Sequence, residues 1–178
     1  MGARTGGRAV ALQILFGLDA IGVLEAERRA TLDVPETLRR YWASFEDAEA
    51  QSEESDPDSR AFADALVTEL LARLDDVDRA LRKASTNWRL ERMPRVDRNV
   101  ARIGVFELLA RADVPRAVAI DEAVELAKRF GGDDSQKFVN GVLERVADEA
   151  GRIEARASQG AGAGEGNKRG GKRPRGRG

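Results

Sequence analysis

The sequence predicts an all-α protein, a compact bundle of six or seven helices with no β-sheet. Apolar residues recur three and four positions apart along most of the chain, as on the inner face of an amphipathic helix. No segment sustains the alternating pattern of a half-buried strand. Proline, glycine or aspartate lies at several boundaries between the apolar segments, where helices begin and end. Because only 5% of the residues are aromatic, the core should be mainly aliphatic.

The first half of the chain contains three helical regions. The apolar residues between about positions 5 and 20 are too closely spaced for a single helix face, so this helix should be largely buried. A second helix is predicted over residues 35–46, where Pro35 suits the first turn. From Ser59 onward, apolar side chains fall at four-residue steps as far as Leu74, and a shorter helix should continue to about residue 85.

Three helices are predicted in the second half, over residues 94–111, 115–130 and about 134–149. The first of them carries an apolar stripe on one side and arginines on the other. The second follows a Val-Pro pair, and its apolar residues again recur at helical spacing.

The connection between the last two helices is rich in glycine and aspartate. Gly131 and Gly132 should end one helix in the left-handed conformation. Asp133 or Asp134 should then cap the next helix. Gly141 lies inside that helix at a cost of about 1 kcal/mol relative to alanine, so we expect a neighbouring helix to approach it closely.

Two segments differ in composition from the helical core. Residues 46–58 carry seven acidic residues and no basic one, which predicts a flexible acidic loop, over residues 47–58, within a helical domain of residues 1–150. An acidic decoy that competes with nucleic acid is the less favoured interpretation of this loop. Residues 151–178 are predicted to be a disordered tail rich in Gly, Lys and Arg.

The composition excludes several kinds of catalytic and metal site. The chain has no Cys and no His, so it cannot contain a disulfide, a thiolate nucleophile, an imidazole base or a zinc site of the usual Cys/His kind. Its abundant carboxylates show no metal-binding spacing. We therefore predict a protein that is not an enzyme and uses no metal or cofactor. No apolar run approaches the ~20 residues of a membrane-spanning helix, and a cytoplasmic location is expected.

The distribution of basic residues favours a nucleic-acid ligand. Basic side chains occur at the start of the first helix, around the start of helix 94–111 and around the Gly-Gly connection, and phosphate contacts need such a cationic surface. Phe130 could stack on an unpaired base, which indicates single-stranded RNA. For any single arginine, an ordinary solvated helix face is the simpler explanation. The basic residues concerned are Arg4, Arg8, Arg89, Arg92, Arg95, Arg98, Arg102, Lys128, Arg129 and Lys137.

Several motifs resemble the NusB family of transcription antitermination factors. The segment ALQILF at residues 11–16 is similar to the family's first helix. More specific are NWRLERM at residues 87–93 and VAIDEAVELAKRFGGDDSQKFVNGVLERV at residues 118–146. The resemblance covers about residues 4–148 and implies an all-helical, non-catalytic RNA-binding protein.

The resemblance also implies partners. Members of the family pair with NusE, a small-subunit ribosomal protein, and the pair binds single-stranded boxA RNA in nascent transcripts. That complex helps RNA polymerase to read through terminators, notably in rRNA operons. Some members self-associate, so the resemblance leaves open a homodimer that buries the RNA surface.

Positions that match the family's motifs imply site residues. For NusE they are Phe16, where the family usually has tyrosine, and Asp97. Gly6 and Gly7 stand where the family often has basic residues, and we hypothesise that the basic tail compensates through non-specific attraction to phosphate. The implied RNA-binding residues are Arg4, Arg8, Arg89, Phe130, Asp134, Lys137 and Phe138.

Two alternatives to RNA-dependent antitermination remain. One is a helical protein-interaction module that joins ribosome assembly or polymerase complexes and binds RNA weakly or not at all. The other is an RNA-modifying enzyme or its fragment, which the absence of Cys and of any predicted sheet disfavours.

Overall fold

Eight α-helices and no strand form the described part of the chain, which confirms the predicted fold class. The structure is a computed structural model that describes residues 2–45, 56–86 and 88–162, with side chains through residue 151. A 3₁₀ turn, Leu90–Arg92, lies between the fifth and the sixth of these helices. The helices are α1 Ala3–Ala20, α2 Ala26–Arg29, α3 Val34–Ala43, α4 Pro57–Ala72, α5 Leu74–Ala84, α6 Arg95–Ala110, α7 Arg116–Phe130 and α8 Ser135–Gly162.

Helix α6 lies at the centre of the bundle. It packs against α1, α5, α7 and α8, and its Val100, Ile103 and Phe106 side chains are fully buried. Helices α1 and α4 form the most extensive helix pair. The buried cluster consists mainly of Leu, Val, Ala and Ile, as the low aromatic content predicts. Because α6 packs against both α7 and α8, its start lies beside the connection between these two helices.

Glycine permits the close approach of α1 and α4. A Cβ at Gly7 would lie 2.7 Å from Phe62 Cδ1 and 2.8 Å from the Ser59 carbonyl oxygen, closer than real Cβ contacts. The Ser59 oxygen belongs to the backbone of α4, so it cannot move aside as a flexible side chain could. Gly7 is therefore required by space at this helix crossing.

The number of helices exceeds the prediction because α2 is a single turn with no buried residue, and no hydrophobic periodicity marks it. Helix α4 begins at Pro57, inside the predicted acidic loop. The Asp56 carboxylate caps it by accepting a hydrogen bond from the Ser59 N–H at 3.1 Å. The rest of that loop, residues 46–55, lies outside the described residues.

The last helix is longer than predicted. Helix α8 continues to Gly162 instead of ending near Glu149. Part of the predicted tail is thus helical in its backbone, and residues 163–178 lie outside the described residues.

Gly141 lies on the exposed side of α8, and no atom of a neighbouring element lies within 4 Å of the position that a Cβ would take. The expected close helix approach is therefore wrong. Gly141→Ala should raise the free energy of unfolding by about 1 kcal/mol, because alanine has the higher helix propensity. Urea denaturation measures the difference, and a midpoint that stays the same or falls would contradict the prediction.

Candidate nucleic-acid interface

The connection between α7 and α8 is held by Ser135, the first residue of α8. Its hydroxyl donates a hydrogen bond to the Asp97 carboxylate at 2.6 Å and accepts one from the Gly132 N–H at 2.8 Å. Asp97 lies in the first turn of α6, where the helix dipole favours a negative charge. These bonds tie the connection to the start of α6.

Two predictions about this connection need correction. Gly131 is extended, with φ −93° and ψ −171°, rather than left-handed. Glycine is needed there for space, because a Cβ would lie 2.5 Å from the Ser135 side chain. The Asp134 carboxylate is 94% exposed and lies 4.0 Å from Lys137 Nζ. Among the described contacts, Ser135 holds the connection in place of an aspartate cap.

A groove of about 410 Å³ opens between this connection and the segment that precedes α6. Phe130 and Phe138 are half-buried in its wall, whereas Trp88 is 56% exposed. The rings of Trp88 and Phe138 meet edge to face, with centroids 6.2 Å apart. The walls are mainly apolar and include Trp88, Met93, Pro94, Val96, Phe130 and Phe138.

Basic side chains lie next to residues that line this groove. Lys137 is 86% exposed on the first turn of α8, and Arg89 is exposed next to Trp88. The Arg129 guanidinium lies 4.8 Å from the centroid of the Phe130 ring. Two acidic residues line the groove, the exposed Asp134 and the buried Asp97. Aromatic walls with cations nearby suit an unpaired nucleotide, because a base can stack while its phosphate meets the positive charge.

The two N-terminal arginines lie in different environments. Arg8 does not lie on the surface, contrary to the prediction: its Nε is 3.0 Å from both carboxylate oxygens of Glu107, and its side chain is 2% exposed. Burial raises the pKa of the Glu107 carboxyl, and the adjacent Arg8 guanidinium opposes that rise. Arg4 is 58% exposed and lies 3.3 Å from Asp113, so it remains accessible to a ligand.

Comparison with known proteins identifies the family that has these features. A sequence model of the NusB family matches residues 6–148, which is most of the chain. The chain belongs to the NusB family. It is 49% identical over 154 residues to the transcription antitermination protein NusB of Sorangium cellulosum (strain So ce56), over 86% of this chain and 98% of that protein. The identity to the NusB protein of Myxococcus xanthus (strain DK1622) is 46% over 147 residues, or 83% and 96% of the two chains.

Solved NusB structures have a similar fold. The structure of T. maritima NusB matches with a TM-score of 0.63 and 32% identity, over 84% of this chain and 92% of that chain. A crystal structure of antitermination factors NusB and NusE in complex with dsRNA matches with a TM-score of 0.62 over 84% and 98% of the two chains. At 23% identity, this second match shows that the folds are similar and no more.

The two positions that the NusB resemblance assigns to NusE binding differ in exposure. Phe16 is 40% exposed on α1 and can meet a partner. Asp97 is 6% exposed and is bonded to Ser135, so it does not form part of the surface as predicted. Its acidic side chain holds the α7–α8 connection instead.

Two arginines of the predicted cationic cluster are used inside the fold. Arg98 Nη2 lies 2.7 Å from Asp19 Oδ2, and Arg102 forms a bidentate pair with Asp78 at 2.8 and 3.0 Å. Both arginine side chains are at most 12% exposed. The exposed cations near the start of α6 are therefore fewer than the sequence indicated, and they include Arg89, Arg92 and Arg95.

Sequence reasoning missed two residues of the site. Trp88 lies in the NWRLERM motif, in a polar segment rather than an apolar stripe. A tryptophan in such a segment can be exposed, and an exposed tryptophan can mark a binding site. Ser135 was detectable only as a serine at a helix start, which usually indicates a cap and gives no information on a contact to α6.

The described residues contain no cluster of three or more acidic side chains placed to hold a metal ion. Within the same ranges, every helix is too short or too polar to cross a membrane.

Proposed function

We propose that this NusB-family protein is a non-catalytic transcription antitermination factor. It binds boxA-type single-stranded RNA together with NusE and promotes readthrough by RNA polymerase in the cytoplasm, notably in rRNA operons. Its relatives are named transcription antitermination proteins, and a solved structure of this fold contains NusB, NusE and dsRNA. The observation that carries the proposal is the aromatic groove, near which lie two exposed cations, Lys137 on the first turn of α8 and Arg89 next to Trp88.

The aromatic rings of this groove and the exposed cations near it would make the RNA contacts. Phe130 and Phe138 offer ring surface to a base, and Lys137 and Arg89 offer positive charge to phosphates. Asp134 repels phosphate at the same groove, so it limits affinity rather than adding to it. The proposed site would thus contain cations that attract phosphate and one exposed carboxylate that repels it.

Helix α1 would supply the remaining contacts. Arg4 is accessible to phosphate, and Phe16 offers NusE an exposed ring for packing. Arg8 and Asp97 would act indirectly, because one fixes α1 against α6 and the other fixes the α7–α8 connection.

A gel shift of boxA RNA with purified protein, with and without NusE, tests the proposal. We expect a shift that is strongest when both proteins are present. The absence of a shift in either condition would favour a helical protein-interaction module in ribosome assembly or polymerase complexes. The burial of three arginines supports that alternative, because it leaves fewer cations on the surface for RNA. They are Arg8, Arg98 and Arg102.

Lys137→Ala should weaken RNA binding roughly three- to tenfold at low salt, because it removes one phosphate contact. The slope of log affinity against log salt concentration should fall by about 0.7 for a single strand. Asp134→Asn should shift affinity in the opposite direction, since it removes the negative charge 4.0 Å from Lys137. A salt titration of both variants measures these changes.

Lys83→Ala is the matched control for Lys137→Ala. Lys83 is 67% exposed and pairs with Glu149 at 2.9 Å. Glu149 lies twelve residues beyond Lys137 on α8, roughly 18 Å along the helix. Equal losses of affinity in the two lysine variants would contradict a localised RNA site.

A further inference from the structure

Trp88 separates two adjacent grooves. On one side lies the apolar groove already described, with Phe130 and Phe138 in its wall. On the other side lies a more polar groove of about 480 Å³, whose lining includes Arg82 and Arg89. Among the described residues, Trp88 is the one that lines both grooves. A ligand that occupies both grooves would therefore meet Trp88 in each of them.

The backbone of Trp88 is fixed although its ring is exposed. The Trp88 N–H donates to the Ser85 carbonyl at 3.1 Å, and the Ser85 hydroxyl lies 2.7 Å from the Leu81 carbonyl and 3.2 Å from the Trp88 carbonyl. The other tryptophan, Trp42, is only 9% exposed and donates its Nε1 proton to Asp64 at 2.8 Å. Trp88 thus presents an accessible indole from an anchored turn.

The polar groove has cations that a phosphate can recruit. Arg82 lies 3.7 Å from Glu91, and both side chains are more than half exposed. A solvent-exposed pair at this distance is weak, so a phosphate can compete for the guanidinium. Arg89 is exposed in the same groove.

We propose that Trp88 is a stacking platform for single-stranded RNA. One unpaired base enters the apolar groove and stacks on the indole, and an adjoining phosphate lies beside Arg82 and Arg89. The inference rests on the proposed function and deepens it. Every base has a π-face, and grooves that combine aromatic rings with cations bind single strands in this way. The cations favour RNA over an apolar peptide or a second copy of this chain as the occupant.

Trp88→Ala should weaken binding of boxA RNA, measured with the full chain and NusE, about five- to hundredfold. Trp88→Phe should retain most of the affinity, because a ring remains for stacking. Phe45→Ala is the matched control: it removes an exposed aromatic ring, 50% accessible, beyond the end of α3. The control should bind RNA as the parent does.

Tryptophan fluorescence reports the contact directly. RNA should change the emission of the parent but not of Trp88→Phe, because the remaining Trp42 is buried.

An abasic RNA tests the same contact from the side of the ligand. A single abasic nucleotide at the stacked position should weaken binding to the parent and add no further loss of affinity in Trp88→Ala. Both measurements can be made even if Trp88→Ala folds poorly. The fluorescence comparison then uses the parent and Trp88→Phe, and a scan of abasic positions in RNA bound to the parent locates the stacked base.

The outcomes separate this inference from the proposed function. RNA binding by the parent with unchanged Trp88 emission, and equal binding by a folded Trp88→Ala, would overturn the platform and leave the proposed function standing. A parent that binds no RNA even with NusE would overturn both. Emission that changes with protein concentration alone would assign the groove to a second copy of this chain and would also overturn the inference.

Discussion

Replacing Glu107 with alanine should lower the free energy of unfolding by about 3–5 kcal/mol. The carboxylate is 1% exposed and accepts hydrogen bonds from Arg8 at 3.0 Å through both oxygens. Its removal leaves the Arg8 guanidinium, itself 2% exposed, with the more distant Glu122 at 3.5 Å as its acidic partner among the described residues. A buried charge without its partner is strongly destabilising, and urea denaturation measures the loss.

Two controls make this prediction specific to burial. The double variant Arg8→Met, Glu107→Leu should recover most of the lost stability, because it removes both charges and keeps apolar volume. Glu36→Ala likewise removes a carboxylate that is paired with arginine, in this case Arg39 and Arg40, but that lies on the surface. It should have a far smaller effect. A Glu107→Ala loss no larger than that of Glu36→Ala would contradict the prediction.

Gly7→Arg should destabilise the fold by about 3 kcal/mol or more instead of strengthening RNA binding. The substitution places a basic residue at a position where the resemblance to the NusB family implies one. The first carbon of the new side chain would already lie 2.8 Å from the Ser59 carbonyl oxygen and 2.7 Å from Phe62 Cδ1. The crossing of α1 and α4 would have to open, and a charge would enter a buried site. Thermal unfolding measures the loss.

Gly2→Arg adds the same charge without the clash. No atom lies within 4 Å of a Cβ at Gly2, and the residue is exposed. Stability should stay close to that of the parent, while RNA affinity should rise at low salt. If Gly7→Arg unfolded at the temperature of Gly2→Arg, the steric argument would be wrong.

Hydrophobic spacing was sufficient to predict α1 and the helices from α3 to α8, because each of them buries apolar side chains in the core. The single turn α2 buries no side chain and left no periodic pattern. The end of α8 was missed because Ile153 is the one large apolar residue between positions 150 and 162, so this segment has no apolar spacing from which a helix could be predicted.

The sequence identified Phe130, Phe138 and the basic residues of the candidate site, but it did not identify Trp88 or the environments of the arginines. Arg8 and Glu107 are 99 positions apart, and no local pattern could pair them. Arg98 faces Asp19 across 79 positions for the same reason. Whether an arginine meets solvent or a buried carboxylate depends on tertiary packing. A charge pattern therefore overestimates the surface that is available to a ligand.

The hydrogen bonds of Ser135 to Asp97 and Gly132 have a thermodynamic consequence for the proposed RNA complex. They connect the two chain segments that form the groove, so folding already restricts the conformational freedom of both walls. RNA that binds a preorganised groove loses less affinity to the ordering of the protein. Differences in affinity among RNA sequences would then depend on how well their bases fit a groove whose shape does not change on binding.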